Sequence, residues 1–421
     1  MFKFLHAADI HLDSPLHKLE IYEGAPLEAV RQATRRALEN LIELALAEGV
    51  AFVLIAGDLY DGDWKDYNTG LYFVAQMRRL REAGIPVYLI AGNHDAASKI
   101  TRNLRLPDGV VSFPSDQPAS MKVPGTDVAI HGQGFATPSV RKDLSMGYPA
   151  PFSGCFNIGL LHTCATGREG HEIYAPCTLE GLKNKGYDYW ALGHVHQREI
   201  LLDEDPLIVF PGNIQGRHIR ETGPKGCMLV TVDAKGRPEA DFRALDVLRW
   251  VRISVDASGL EDGYEVIDRV SERIEACLEE NEGLPLAARV EIIGMSVAHR
   301  DLVSDPERWG NEIRSAAVSA GSGQVWVEKI GLHTISMARM DAGRTGGPID
   351  ELLQYLDDLG ADPEQLAGLA KDLADLTKRL PRELWEDGEI VPPDDPGRMA
   401  RILAQVRPLL LHRLMKRGDA P

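Results

Sequence analysis

Five short clusters of polar residues between Asp9 and His196 carry donor types suited to metal chemistry: Asp9-Ile10-His11, Gly57-Asp58, Gly92-Asn93-His94-Asp95, His162 and Gly193-His194-Val195-His196. Carboxylates, imidazoles and one amide, with no thiolate among them, suit Mn²⁺, Fe²⁺ or Zn²⁺ better than a soft-metal site. Two such cations about 3.5 to 4 Å apart can share a carboxylate and grip the free oxygens of a phosphate, the usual device for in-line attack on phosphorus. Phosphoester hydrolysis is the reaction these residue types point to. Taken singly, each cluster has a plainer reading. Asp, Asn and Gly at a strand end are ordinary turn residues, and Asp95 can be a cap. Gly-His-Val-His is more specific, because alternation along a strand would point both imidazoles the same way. The signal lies in the ordered combination.

Elements must exist to bring these clusters together. Apolar, β-rich runs occupy 2–8, 50–56, 87–91, 128–131, 156–161, 187–192, 207–210 and 227–232. Amphipathic stretches at 27–49 and 68–84 each end in the Gly typical just past a helix. The order is βαβαβ, which places the chain in the α/β class. Loops at the carboxyl ends of strands in such sheets converge on one crevice, so clusters far apart in sequence can meet there.

Bulk properties set the surroundings. A chain of 421 residues has room for two or three domains. Its first residues lack the pattern of a secretory signal and it has no run of 18 apolar residues, so a cytoplasmic protein without membrane association is expected. Five cysteines, with no CxxC pair among them, predict reduced thiols rather than disulfides or structural zinc. A net charge of −17 argues against non-specific coating of nucleic acid, although bound cations would offset part of it locally.

The order DxH, GD, GNHD, H, GHxH over residues 1 to about 235 resembles the calcineurin-like metallophosphoesterases. That resemblance implies a two-sheet β sandwich flanked by helices and two divalent metal ions, Mn²⁺ expected first, with Fe²⁺, Zn²⁺ and Mg²⁺ as alternatives. It implies one ion on Asp9, His11, Asp58 and His196, and the other on Asp58, Asn93, His162 and His194, with Asp58 bridging. His94 would be the outer histidine that stabilises the transition state or protonates the leaving oxygen, and Asp95 would orient it. Phosphoprotein phosphatases of the family continue GD as GDxVDRG, with the Arg clamping a terminal phosphate. Here the run is Gly57-Asp58-Leu59-Tyr60-Asp61-Gly62-Asp63, which disfavours monoesters.

Downstream lie a strand at 250–256, a helix near 262–281, a strand at 288–295, a helix near 306–320 and a strand at 324–336. They read as a small α+β capping domain, giving domains at 1–245 (catalytic), 246–337 (cap) and 338–421 (a linker and a helical C-terminal segment). A cap directly after such a core is similar to the SbcD-type DNA repair exonucleases, and PGNIQGRHIRETGPKGC at 211–227 looks like their YhaO-type branch. In that stretch Arg217, His218, Arg220 and Lys225 offer positive charge for DNA phosphates, the plainer reading being a solvated hairpin. At Asp61 the chain departs from the His that the resemblance leads one to expect. Helices are expected near 349–360, 363–381 and 398–418. The resemblance implies that this segment, its leucine-rich final helix above all, can dock on the coiled-coil root of an SMC-like ATPase, the plainer reading being packing against the protein's own core, and that the core can form a homodimer.

The expected activity is a dinuclear-metal phosphodiesterase acting on DNA, a 3′ to 5′ exonuclease with single-strand endonuclease activity in DNA repair. A nucleotide or cyclic nucleotide phosphodiesterase is the alternative. A non-catalytic scaffold on the same fold ranks last, because all seven expected ligand positions are filled.

Overall fold

The computed structural model describes residues 1–14, 27–61, 67–97, 106–165, 175–336 and 348–362, with positions 365, 366 and 368. Of the expected linker at 344–348, residues 344–347 lie outside the described residues while Pro348 already opens a helix. The expected helix at 363–381 lies outside them apart from 365, 366 and 368, and that at 398–418 lies outside them entirely. The chain divides into two compact units, one of residues 1–252 with 276–289 and 321–328, the other of 253–275, 290–320 and 329 onward.

The first unit opens with β1 (Phe2–Ala7), α1 (Leu27–Glu48), β2 (Phe52–Ile55), α2 (Tyr67–Glu82), β3 (Val87–Leu89), α3 (Asn93–Ala97) and β4 (Val110–Ser112). Then come β5 (Ala119–Lys122), β6 (Val128–Gly132), β7 (Phe156–His162), α4 (Leu179–Lys183) and β8 (Tyr189–Gly193). It continues with β9 (Glu199–Asp203), β10 (Leu207–Phe210), β11 (Gly226–Val232) and β12 (Pro238–Ala244). These strands form two six-stranded sheets, ordered β12-β11-β1-β2-β3-β4 and β5-β6-β7-β8-β10-β9. In the first, β1 to β4 run parallel while β11 and β12 are antiparallel additions. In the second, β6, β7, β8 and β10 are parallel and the outer β5 and β9 antiparallel.

Alternation along the strands explains the layers. Phe4, Phe52, Leu54, Tyr88, Ile158, Leu160, Tyr189 and Val209 belong to one buried cluster drawn from both sheets. The intervening Leu5, Ala7, Val53 and Ile55 face the other way, against α1 and α2. On α1 the buried residues Ala33, Ala37, Leu38, Leu41, Ile42 and Ala45 recur at helical spacing. A further cluster, with Trp190, Leu192, Phe210 and Leu182, covers the outer face of the second sheet. This is the two-sheet sandwich with flanking helices. One polar pair crosses its middle: the Tyr189 hydroxyl donates to His6 Nδ1 at 2.9 Å, and His6 Nε2 donates to the Leu192 carbonyl at 3.1 Å. Burial pushes the His6 imidazole down to about 3, so it is neutral and both bonds stand.

A third sheet, ordered β13-β14-β15, consists of β13 (Arg249–Asp256), β14 (Leu286–Ser296) and β15 (Val325–Ser336). Between them run α5 (Gly263–Glu280), α6 (His299–Ser304) and α7 (Pro306–Ala320), and α8 (Pro348–Ala361) follows. The five cysteines are free thiols. Among the described residues no helix is long and apolar enough to cross a membrane.

Candidate dinuclear metal centre

The carboxyl ends of β1, β2, β3, β7 and β8 carry the five clusters to one rim. Beyond the strands the pairing continues through the loops: Asp9 N–H donates to Gly57 O at 3.1 Å, His11 N–H to Asp58 O at 3.0 Å and Leu12 N–H to Leu59 O at 2.9 Å. Asp9, His11, Asp58 and His194 all have positive φ, at 51°, 45°, 50° and 98°. Such conformations cost about 1–3 kcal/mol each and persist where the surrounding structure over-determines them. Gly92 is required because a Cβ there would meet Asp58 Oδ1, and Gly193 because one would meet the Ala56 carbonyl. Strand β8 ends at Gly193, so His194 and His196 do not alternate on a strand as expected. The turn at His194 instead sends the two imidazoles to different groups.

Asp9, His11 and His196 form one group that could hold a metal ion, Asp58, His162 and His194 another, and His11, Asp58 and His94 a third that overlaps both. Asn93 joins the second, its Oδ1 lying 3.0 Å from His162 Nε2 and 3.2 Å from His194 Nδ1. Asp58 stands between the groups, with Oδ2 3.9 Å from His11 Nε2 and 3.4 Å from His162 Nε2. The structure thus brings all seven expected ligand residues together. His94 lies beside them, its ring centroid 4.8 Å from that of His11.

The donor set fits divalent ions. His11 Nε2 and His196 Nε2 face each other at 3.2 Å, while their Nδ1 atoms turn outward to Asp61 and Glu221. The Glu221 carboxylate hydrogen-bonded to His196 Nδ1 favours the proton on that nitrogen, which leaves the inner His196 Nε2 with a lone pair facing His11. Two nitrogens held about 2.1 Å from one ion, roughly at right angles, end about 3 Å apart. Electrostatics agree. Burial, ahead of Arg217, pushes His11 down to about 3, leaving it neutral. Burial also pushes Asp9 up to about 6, despite the pull of His196, a cost that a cation would offset. At Asp58 burial works upward, but His162 and His11 outweigh it and hold the carboxyl well below its usual range.

Asp95, expected to orient His94, does something else. Its carboxylate accepts from the backbone N–H groups of Leu59 at 3.1 Å, Tyr60 at 2.9 Å and Gly92 at 3.0 Å, tying the loop after β2 to the loop after β3. The group beside the His94 ring is Asp61, whose Oδ1 is 3.0 Å from His94 Nδ1. The physical reason is direction: α3 begins at Asn93, and the backbone donors of two loop ends converge on Asp95.

The basic stretch after β10 is a packed loop, not a solvated hairpin, with Asn213, Ile214 and Gln215 buried. Lys225 is 5% exposed and its ammonium donates to the His196 carbonyl at 3.0 Å, so its charge is spent on the backbone. The Arg217 side chain is 11% exposed and lies against Asp61 and Glu221. His218 is half-buried and Arg220 exposed. Of the four expected DNA contacts, only these last two present much surface. Sequence reading missed Glu221 and the part played by Asp61. A lone carboxylate four positions after Arg217, inside an otherwise basic run, is the one signal that marks Glu221.

A model of the calcineurin-like phosphoesterases matches residues 2–198, and one described as "Metallophosphoesterase YhaO, middle domain" matches residues 250–335. The chain is 35% identical over 295 residues to "Uncharacterized metallophosphoesterase YhaO" of Bacillus subtilis, covering 69% of this chain and 71% of that protein. It is 26% identical over 381 residues to "DNA double-strand break repair protein Mre11" of Methanopyrus kandleri, 83% of this chain and 74% of that one. A protein of the same description from Sulfurisphaera tokodaii is 27% identical over 221 residues, covering 50% and 53%.

Proposed function

This chain belongs to the calcineurin-like metallophosphoesterases, in their YhaO-like branch, and we propose that within this class of dinuclear-metal phosphoesterases it cuts DNA phosphodiesters, as a 3′ to 5′ exonuclease with single-strand endonuclease activity. The observation that carries the reading is Asp58 Oδ2, 3.9 Å from His11 Nε2 and 3.4 Å from His162 Nε2, one carboxylate oxygen serving two donor groups. Asp9, His11, Asp58 and His196 would hold one ion, and Asp58, Asn93, His162 and His194 the other, with Mn²⁺ the expected metal. Bound there, the ions supply positive charge that draws in the phosphate and makes a hydroxide nucleophile accessible at neutral pH.

The remaining work falls to protein groups. Asp61 Oδ1 is 3.0 Å from His94 Nδ1, which keeps that nitrogen protonated and leaves Nε2 to deliver a proton to the departing sugar oxygen. The His94 side chain is 39% exposed, open enough to meet a substrate. Asp95 keeps His94 and Asp58 in register by joining their loops. Arg220 and His218, beside the His196 turn, suit backbone phosphates rather than base edges. DNA is favoured as substrate by the double-strand break repair proteins among the relatives. The same reading assigns residues 349–418 to docking on a coiled-coil ATPase. Their deletion should spare hydrolysis of a generic phosphodiester while abolishing co-purification of the ATPase.

The test is to incubate the protein with Mn²⁺ and end-labelled linear DNA, alongside cyclic nucleotides and an aryl phosphodiester. Mononucleotide release from 3′ ends is the expected result. Turnover of cyclic nucleotides with intact DNA would establish the other phosphodiesterase reading instead.

A further inference from the structure

Two carboxylates and one guanidinium outside the ligand set close around the outer nitrogens of His11 and His196. Glu221 is buried, and its Oε1 accepts from His196 Nδ1 at 2.6 Å. Its Oε2 accepts from Asn213 Nδ2 at 2.9 Å and from the Arg217 backbone N–H at 2.7 Å, so its orientation is fixed from three sides. Asp61 places Oδ1 3.3 Å from His11 Nδ1, a close approach without hydrogen-bond geometry, and its Oδ2 accepts from the Ser14 hydroxyl at 2.7 Å. Arg217 spans the two: Nη1 is 3.4 Å from Asp61 Oδ1 and donates to Ser14 Oγ at 3.2 Å, and Nη2 is 3.9 Å from Glu221 Oε1.

We propose that Glu221 and Asp61, joined through Arg217, are positioning residues that aim Nε2 of His196 and Nε2 of His11 at one ion position and not at the other. This rests on the two-ion reading above. A carboxylate on the outer nitrogen of a ligating histidine fixes its tautomer, holds the ring and strengthens the inner nitrogen as a donor. The second group is braced differently. His162 Nδ1 donates to the Ala56 carbonyl at 2.9 Å, a neutral acceptor. Through Glu221 on His196 and Asp61 beside His11, the carboxylate pair acts on the Asp9, His11 and His196 side. Arg217, expected at a phosphate, is by this inference the bridge that holds the two carboxylates, Glu221 buried and Asp61 half-buried, in place.

Titration of the metal-free protein with Mn²⁺ by calorimetry, with paramagnetic resonance counting bound ions, tests this without turnover. Wild-type protein should bind two ions. Glu221→Ala should weaken one by about 10- to 100-fold and leave the other unchanged. Asp61→Ala should weaken the same ion. Glu221→Gln, which keeps an acceptor for His196 but drops the charge, should fall between. Should either alanine variant fail to fold, Glu221→Gln and Asp61→Asn decide by the same criterion. Unchanged affinity for both ions, or equal weakening of both, overturns the inference and leaves the two-ion reading standing. Fewer than two ions on the wild-type protein would remove both.

Discussion

The backbone N–H of His94 donates to Oδ1 of Asp58 at 2.9 Å, and that bond leaves Oδ2 of the same carboxylate facing His11 and His162. An amide in place of the carboxylate can keep the backbone bond, but its other end becomes a neutral donor aimed at two imidazoles. Asp58→Asn should lose at least about 10²-fold in phosphodiester hydrolysis and bind both ions more weakly. Asn93→Ala should weaken chiefly one. Elemental analysis beside the rate assay checks this, and full activity in Asp58→Asn would sink the shared-carboxylate reading.

His94 gives a substrate-dependent expectation. Breaking a DNA phosphodiester expels a sugar alkoxide, a poor leaving group, and general acid help is worth roughly 10² to 10⁴ in rate. His94→Ala should lose about that factor on DNA while keeping its metals, and far less on an aryl phosphodiester, whose leaving group departs unprotonated. Equal losses on both would point to charge stabilisation instead. Loss of metal would make His94 a ligand.

Gly92 separates shape from chemistry. A Cβ there would meet Asp58 Oδ1 and crowd the Asp58 backbone N at 2.7 Å. Gly92→Ala should cost about 1–3 kcal/mol of stability through overpacking, and it should weaken metal binding although no donor is removed. Thermal unfolding together with metal titration would show both effects. A variant with normal affinity would mean that the loop shifts freely.

His6 predicts a pH dependence of folding. Its folded value of about 3, set by burial, lies below the unfolded value near 6.5, so the unfolded chain takes up the proton first as pH falls. Its contribution is therefore fully present above about pH 6.5 and declines between there and about pH 3, by roughly 1.4 kcal/mol per pH unit. Other groups titrate in the same window, so the informative quantity is the difference in slope between wild type and His6→Leu. Parallel curves of unfolding temperature against pH would show that His6 does not carry the effect.

What was legible in the sequence follows burial. β1, β2, β7 and β8 lie inside the sheets, packed on both faces, and read as apolar runs. The strands no apolar run announces, β4, β5, β9 and β12, are the outermost strand on each side of both sheets. Their residues are largely half-buried or exposed, so solvent sets their composition as much as packing does. The site divides similarly. Asp, His and Asn at strand ends stand out because few other pressures collect them there. Glu221 and Asp61 do not, since a carboxylate becomes a brace only through what lies beside it in space, and the partners of Glu221 include His196, 25 positions away.

β1 pairs with β2 on one edge and with β11 on the other, Phe2 opposite Val232 and His6 opposite Met228. During synthesis the first partner follows within some fifty residues, but the second is made only when residues 226–232 emerge. At about 5–20 residues per second, the β11 edge of β1 stays open for on the order of 10–45 s. An unpaired strand edge is a template for stray pairing over that interval. The emerging chain is thus at its most vulnerable on the strand that leads to Asp9. A ribosome-bound chain stopped short of residue 226 should engage holdase chaperones, and one extended past residue 244 should let them go.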